Sequence, residues 1–373
     1  MESPVMKRLN LTLAGLLALA AQPLLVDTAE AEAEAAGADE VREYLVTMAR
    51  PNQLHVIDPE AREIVRSCDV EGDFGSGTLQ LSPDERTAYV LHNRWEDVVG
   101  IDLTNCEEVF RARQSTGDVR AKALASLAVS PDGSRLYTVQ DRVRLHRDRY
   151  EVLAPQLAVY DTAAGLDAEP IATFPAPRQV TTMAAAEDGA LYLAGADIYR
   201  VDPETGDTEV AIANRHWERP GFSPPDSLAM WSTGEVAGEF LRPYTVAADP
   251  GEANEAWHWG ISRVDLASGE TENKEIAPFE FIIFSMVSDP RDRDTFYGVY
   301  TQLSKLDAET REIVEVIDLD HTYYVINTSY DGSRIYLGGA SSDIAIYDDD
   351  FNDLGRIELP GDMSTATLKV ARF

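Results

Sequence analysis

The chain has 373 residues, and its 32 lysines and arginines face 65 aspartates and glutamates, a formal net charge of −33. Nucleic acid and anionic membrane repel such a surface, which excludes both as main partners. The acid excess reads either as solvation, as in a salty habitat, or as a docking surface for a basic partner.

The N-terminus has the pattern of an export signal. Met6-Lys7-Arg8 is a positive start, Leu9 to Val26 is an apolar run broken by Pro23, and Ala29-Glu30-Ala31 through Ala33-Glu34-Ala35 offer small-x-small cleavage sites. Residues 1–35 are expected to be signal and leader-proximal segment, cleaved near residues 31–36; an uncleaved anchor is the alternative, since the run is about as long as a short membrane span. Residues 36–373 then form a single domain outside the cytoplasm. There the two cysteines, Cys68 and Cys106, have the oxidising surroundings a disulfide needs. Their out-of-phase placement leaves bridged and unbridged states both open.

From residue 44 on, one unit repeats. Seven apolar stretches end in an aspartate at the mouth of a polar turn: Asp58, Asp102, Asp161, Asp202, Asp265, Asp307 and Asp348. The intervals are 44, 59, 41, 63, 42 and 41 residues; four match a four-stranded propeller blade of ~40–45 residues, and two match a blade with an insertion. The expected fold is all-β: a seven-bladed β-propeller of four-stranded antiparallel blades. Each marker aspartate should end the third strand, C, and accept from the backbone of the C–D turn. A second turn between strands A and B recurs as Ser82-Pro83-Asp84, Ser130-Pro131-Asp132-Gly133, Glu187-Asp188-Gly189, Asp289-Pro290-Arg291-Asp292 and Tyr330-Asp331-Gly332. Tyr44–Met48 reads as strand B of the first blade with no strand A before it. The C-terminal Thr365–Arg372 supplies that missing strand and closes the ring.

Both insertions fall in B–C connections, at Asp141–Pro155 in blade 3 and about Thr233–Trp257 in blade 5, so they decorate one face, the usual binding side of a repeat fold. The first carries Arg142, Arg144, Arg147 and Arg149 with Tyr150; it reads as a hairpin with internal charge pairs or as a partner contact. The second ends in Trp257-His258-Trp259, either packed on its own blade or placed in an interface. At the channel mouth, Tyr323, Tyr324 and Asn327, with Arg178 and Gln179, are the candidates for a small-molecule pocket or a subunit contact. Phe279–Phe284 adds aromatic bulk.

Self-sufficient chemistry is missing. The chain has no nucleophile elbow, His-Glu-x-x-His, phosphate loop, dinucleotide fingerprint or Cys-x-x-Cys-His haem motif. Asp348–Asp353 lacks the glycine and the twelfth-position glutamate of a calcium loop. No metal site and no catalytic residue is expected in this chain.

Four stretches carry a resemblance: Ala176-Pro177-Arg178-Gln179, Val143-Arg144-Leu145, His321-Thr322-Tyr323-Tyr324 with Asn327, and Leu337-Gly338-Gly339-Ala340. Asp331-Gly332-Ser333 and Leu359-Pro360-Gly361 also fit but occur in many propellers. As a set they resemble the β-subunit of quinohemoprotein amine dehydrogenase, over about Tyr44 to Phe373. The resemblance implies a periplasmic αβγ heterotrimer that oxidises primary amines to aldehyde and ammonia. In it the α-subunit carries two c-type haems, the γ-subunit carries cysteine tryptophylquinone, and the propeller shapes the amine pocket and shields the quinone. Tyr323, Tyr324 and Asn327 would lie near the γ-subunit or the pocket, with Arg178 and Gln179 as second choices. Arg142, Arg144, Arg147, Trp257 and Trp259 would face a partner. The strong acidity departs from the family and leaves the electron carrier open. A stand-alone exported propeller that binds without catalysis is the main alternative. A lactonase-like propeller with calcium is disfavoured, because few acidic residues start strand A.

Overall fold

The structure, a computed structural model, describes residues 41–373 apart from Ser76, residues 228–230 and residues 232–233. The expected signal lies outside the described residues. Among those described, no helix is long and apolar enough to cross a membrane.

The strands form seven antiparallel sheets, the blades of a seven-bladed β-propeller. Blade 1 runs, from the axis outward, Leu368–Arg372, Glu43–Ala49, Gln53–Asp58 and Glu63–Asp69. The C-terminal strand therefore does close the ring, with Val370 opposite Leu45. Blade 2 runs Leu79–Leu81, Thr87–His92, Asp97–Asp102 and Glu108–Arg113. Blades 3, 4, 6 and 7 repeat this meander, with strands A at Leu127–Val129, Thr182–Ala185, Ser285–Asp289 and Val325–Thr328. Blade 5 shows three strands among the described residues: Glu239–Ala248, Ala256–Asp265 and Thr271–Pro278.

All seven marker aspartates stand at the end of strand C. Each accepts a backbone N–H of its C–D turn at 2.7–2.9 Å, such as Glu60 to Asp58, Thr104 to Asp102 and Asn352 to Asp348. These bonds replace water for amides that no strand can pair, which is why aspartate recurs at that step. The A–B turns use the same device: Asp132, Asp188 and Asp331 accept from Ser134, Ala190 and Ser333.

Between blades the core is aromatic and aliphatic. Strand B tyrosines such as Tyr89, Tyr192, Tyr297 and Tyr336 are buried, and large side chains of this kind contribute roughly 1.5–3 kcal/mol each on burial. Tyr244 lies so close across strand C that a Cβ at Gly260 would sit 2.3 Å from its ring. Cys68, on the outer strand of blade 1, is bridged to Cys106 in the C–D turn of blade 2, with Cα atoms 5.2 Å apart. The outer edges of two blades are thereby fastened covalently.

In such a meander the B–C and D–A connections share one face, called upper here; the aspartate turns occupy the lower face. The blade 3 insertion rises as expected. Strand B runs on as Arg135–Leu145, folds back through Tyr150–Val152, and takes Val119–Lys122 on its other side. In blade 5 the expected boundaries need correction. Glu239–Ala248 is strand B and Ala256 already begins strand C, so the B–C connection is only residues 249–255. The extra length lies in two long paired strands and in the segment before Glu239.

Candidate functional site

The two hairpins flank blade 4 on the upper face. Tyr150 and Val152 on one, Trp257 on the other, and Ile282 in the following loop are 45–78% exposed. Most of the insertion's charges are satisfied within it: Arg144 pairs with Asp118 and Glu151, His146 with Glu151, Arg149 with Asp148, and Arg142 donates to the Ala154 carbonyl. Arg147 is exposed and makes no ion pair among the described residues. Trp257 packs at a tilt against Phe279, and its indole N–H donates to Glu255 at 2.9 Å. Trp259, expected at an interface, is buried, and its indole N–H donates to the Phe281 carbonyl at 3.0 Å. It is a core residue because strand C has already begun.

Of the channel-mouth candidates, Tyr323 and Asn327 are interior. Tyr323 is 0% exposed and donates to Asp343 at 2.6 Å; His321 holds the other Asp343 oxygen at 2.9 Å. Burial, reinforced by Asp343, pushes the Tyr323 phenol far above its usual range. Asn327 donates to the Leu368 carbonyl and accepts from Thr328 N–H, which fixes the seam between blades 7 and 1. Both side chains are buried within the ring. Tyr324, one residue on, turns the other way and joins Phe284, Tyr300 and Trp231 in a stacked aromatic cluster with centroids 5.0–6.3 Å apart.

Trp231 and Glu235 come from the segment before blade 5 yet touch blade 1. The Trp231 indole donates to the Thr365 carbonyl at 3.3 Å, and Glu235 accepts from Lys369 on the innermost strand of blade 1. Blades 5 and 1 are not ring neighbours, because the inner strands contact one another in chain order and close from blade 7 to blade 1. These contacts therefore cross the propeller axis. Val236 packs beside them against the same core.

Between blades 4 and 5 the upper face holds a cavity of about 270 Å³, lined by Gln179, Thr181, Asn214, Arg215, Asp226 and Arg242 among others. Gln179 lines this cavity rather than the channel mouth; exposed Arg178 stands beside it in sequence. Arg242 was not among the expected residues. Only 9% exposed, it donates through Nε to Ser227 Oγ at 2.8 Å. No carboxylate pairs with it among the described residues, Nη1 is buried without a partner, and burial lowers its affinity for its proton. Asn214 gives its amide to Ser262 Oγ at 2.7 Å, and its buried Oδ1 has no partner. Asp197 closes the loop behind: burial alone would raise its pKa, but bonds from His216 and from the Asn214 N–H hold it low. The signal in the sequence was one arginine inside the apolar run Phe240-Leu241-Arg242-Pro243-Tyr244.

A larger groove, about 570 Å³, opens on the lower face between blades 3 and 4. Three of its carboxylates, Asp132, Asp188 and Asp202, are engaged by turn amides, while Glu187 and Glu204 also line it. No group of three metal-ligating side chains assembles among the described residues.

No described protein family and no curated protein matches the chain. Solved structures do. The dihydro-heme d1 dehydrogenase NirN, in complex with DHE, is 15% identical with a TM-score of 0.53, over 86% of this chain and 74% of that one. Apo AztD from Citrobacter koseri is 12% identical with a TM-score of 0.51, over 89% of this chain and 99% of that one. A second AztD structure from Citrobacter koseri is 11% identical, also at 0.51, over 89% and 98%. At such identities the likeness establishes the propeller fold and leaves the activity to be argued from the site.

Proposed function

We propose that the chain is the propeller subunit of a periplasmic quinohemoprotein amine dehydrogenase. In this reading its upper face docks the quinone-bearing γ-subunit beside the dihaem α-subunit. One observation carries the proposal. The four stretches that resemble the family are Val143–Leu145 in the blade 3 hairpin, Ala176–Gln179 and His321–Tyr324 in D–A connections, and Leu337–Ala340 at the end of a strand B. All four gather on the upper face, together with the exposed Tyr150, Val152, Trp257 and Ile282. Of the two less specific stretches, Asp331–Ser333 lies in an A–B turn on the lower face.

In the proposed complex the redox chemistry belongs to the partners, and this chain supplies shape and dryness. The Trp231–Phe284–Tyr300–Tyr324 cluster presents an apolar floor near the axis. The residues crossing the axis limit solvent access from below, and water exclusion strengthens the electrostatics of any chemistry above. Exposed Arg147, Trp257 and Arg178 would meet the partner in this reading. The test is to purify the chain through a C-terminal tag from its native periplasm and record the visible spectrum. A c-type haem spectrum that reduces on adding a primary amine is expected. A colourless monomer under gentle, salt-matched conditions would refute the reading and leave a stand-alone binding scaffold.

A further inference from the structure

The cavity between blades 4 and 5 holds two buried, unmatched polar groups of opposite demand. Arg242 offers a positive guanidinium whose Nη1 lacks a partner, and Asn214 offers an acceptor, Oδ1, that also lacks one. An unpaired buried arginine is costly in any protein. In a chain with 65 carboxylates, that none stands against Arg242 among the described residues is a specific feature of the site. The nearby Asp197 is already held by His216 and by backbone amides, and Asp226 is exposed at the rim. The side chain is also built in place: Nε is fixed by Ser227, whose Oγ donates in turn to the Pro243 carbonyl at 2.9 Å. The guanidinium fork is the group best suited to a planar carboxylate. Asn214 Oδ1 asks for an N–H or O–H. At about 270 Å³ the cavity admits a molecule of a few heavy atoms.

We propose that this cavity is a binding site for a small carboxylate that carries a neighbouring hydroxyl or ammonium group. The carboxylate pairs with Arg242, and the hydroxyl or ammonium donates to Asn214. Thr181 and Gln179 supply further polar lining, and Arg215 at the mouth draws the anion in. The ligand is an α-hydroxy or α-amino acid of two or three carbons; glycolate and glycine are the probes for the two forms. The site lies within this chain alone, so a failed titration leaves the amine-oxidising complex untouched.

The experiment is a thermal-unfolding titration of the full chain with glycolate, and separately with glycine, at constant ionic strength. Acetate is the comparator without the second group, and chloride is the control. One probe at a hundred times its dissociation constant should raise the midpoint by about 4 °C. Acetate should bind at least tenfold more weakly, because it leaves Asn214 unmatched. Arg242→Met removes a buried unpaired charge and should fold; the shift should vanish in it. Arg242→Lys keeps the charge without the fork and should bind at least tenfold more weakly, which guards against a misfolded methionine variant. A shift with neither probe, a shift that survives Arg242→Met, or equal shifts with acetate would each overturn the assignment.

Discussion

His92 ends strand B of blade 2 with 0% exposure; among the described residues neither ring nitrogen makes a full hydrogen bond, and the Gly72 backbone is the polar group that comes near. Burial, with Arg111 close by, lowers its pKa from 6.5 to about 4. The sign follows directly. A base whose folded pKa is depressed binds fewer protons folded than unfolded between the two values, so stability is full above about pH 6.5 and is lost as pH falls toward 4. At pH 5 the unfolded imidazole is almost wholly protonated and the folded one is mostly neutral. The linkage then costs about 2 kcal/mol relative to pH 7. His55, also buried and lowered, adds in the same direction. Asp97, Asp141 and Glu239, whose pKa values burial raises, take up protons more readily folded than unfolded as pH falls and work the other way, in parent and variant alike. The assay is therefore a difference: urea unfolding of the parent and of His92→Phe at pH 7 and pH 5. The parent should lose about 2 kcal/mol more than the variant over that step. Equal losses would refute the reasoning and mean that the imidazole finds a partner or water that the structure does not show.

Two further outcomes follow from the fold. Reducing the Cys68–Cys106 bridge releases a loop of 38 residues, so unfolding in reductant should cost about 4 kcal/mol of stability by the chain-entropy argument; a loss under about 1 kcal/mol in urea melts would mean that blades 1 and 2 stay docked in the unfolded ensemble. Tyr323→Phe leaves Asp343 without its 2.6 Å donor and should destabilise by about 1–2 kcal/mol while leaving amine turnover of the proposed complex unchanged; a drop in turnover at unchanged stability would return Tyr323 to the substrate pocket.

The repeat was legible because it is local. An aspartate that must cap its own turn keeps its place at every strand C, and period-2 strands between such turns leave few alternatives to a propeller. Closure was legible too, since an unpaired Tyr44–Met48 calls for a partner that only the C-terminus offers. What local pattern could not reveal was orientation. Tyr323 and Tyr324 look equivalent in sequence, but the D–A connection that carries them turns one into the seam between blades 6 and 7 and the other toward the aromatic cluster near the axis. Blade 5 was misread for a chemical reason. Arg242 and Pro243 interrupt what is in fact strand B, because the arginine serves a cavity and proline lacks the N–H a ladder uses. Trp257 and Trp259 then looked like one loop end, although both lie on strand C: Trp257 stands at its exposed start near the hairpin tip, and Trp259, two residues further into the sheet, is buried.

The axis is where the fold constrains function most. In an open propeller a central channel is the obvious place for a ligand, with residues from every blade converging on it. Here Trp231 and Glu235 reach from the blade 5 side to Thr365 and Lys369 of blade 1, and Val236 joins the same apolar core. A chain segment that crosses the axis takes the position a channel ligand would need. It also couples opposite sides of the ring, so docking that moves Trp231 must move the inner strand of blade 1. In the proposed readings recognition falls instead to the blade 4–5 cavity and the flanking hairpins. The aromatic floor beside Trp231 becomes a surface for another molecule to rest on rather than a hole for one to enter. A propeller closed in this way is poorly suited to chemistry at its own centre and well suited to covering a reaction held by a partner.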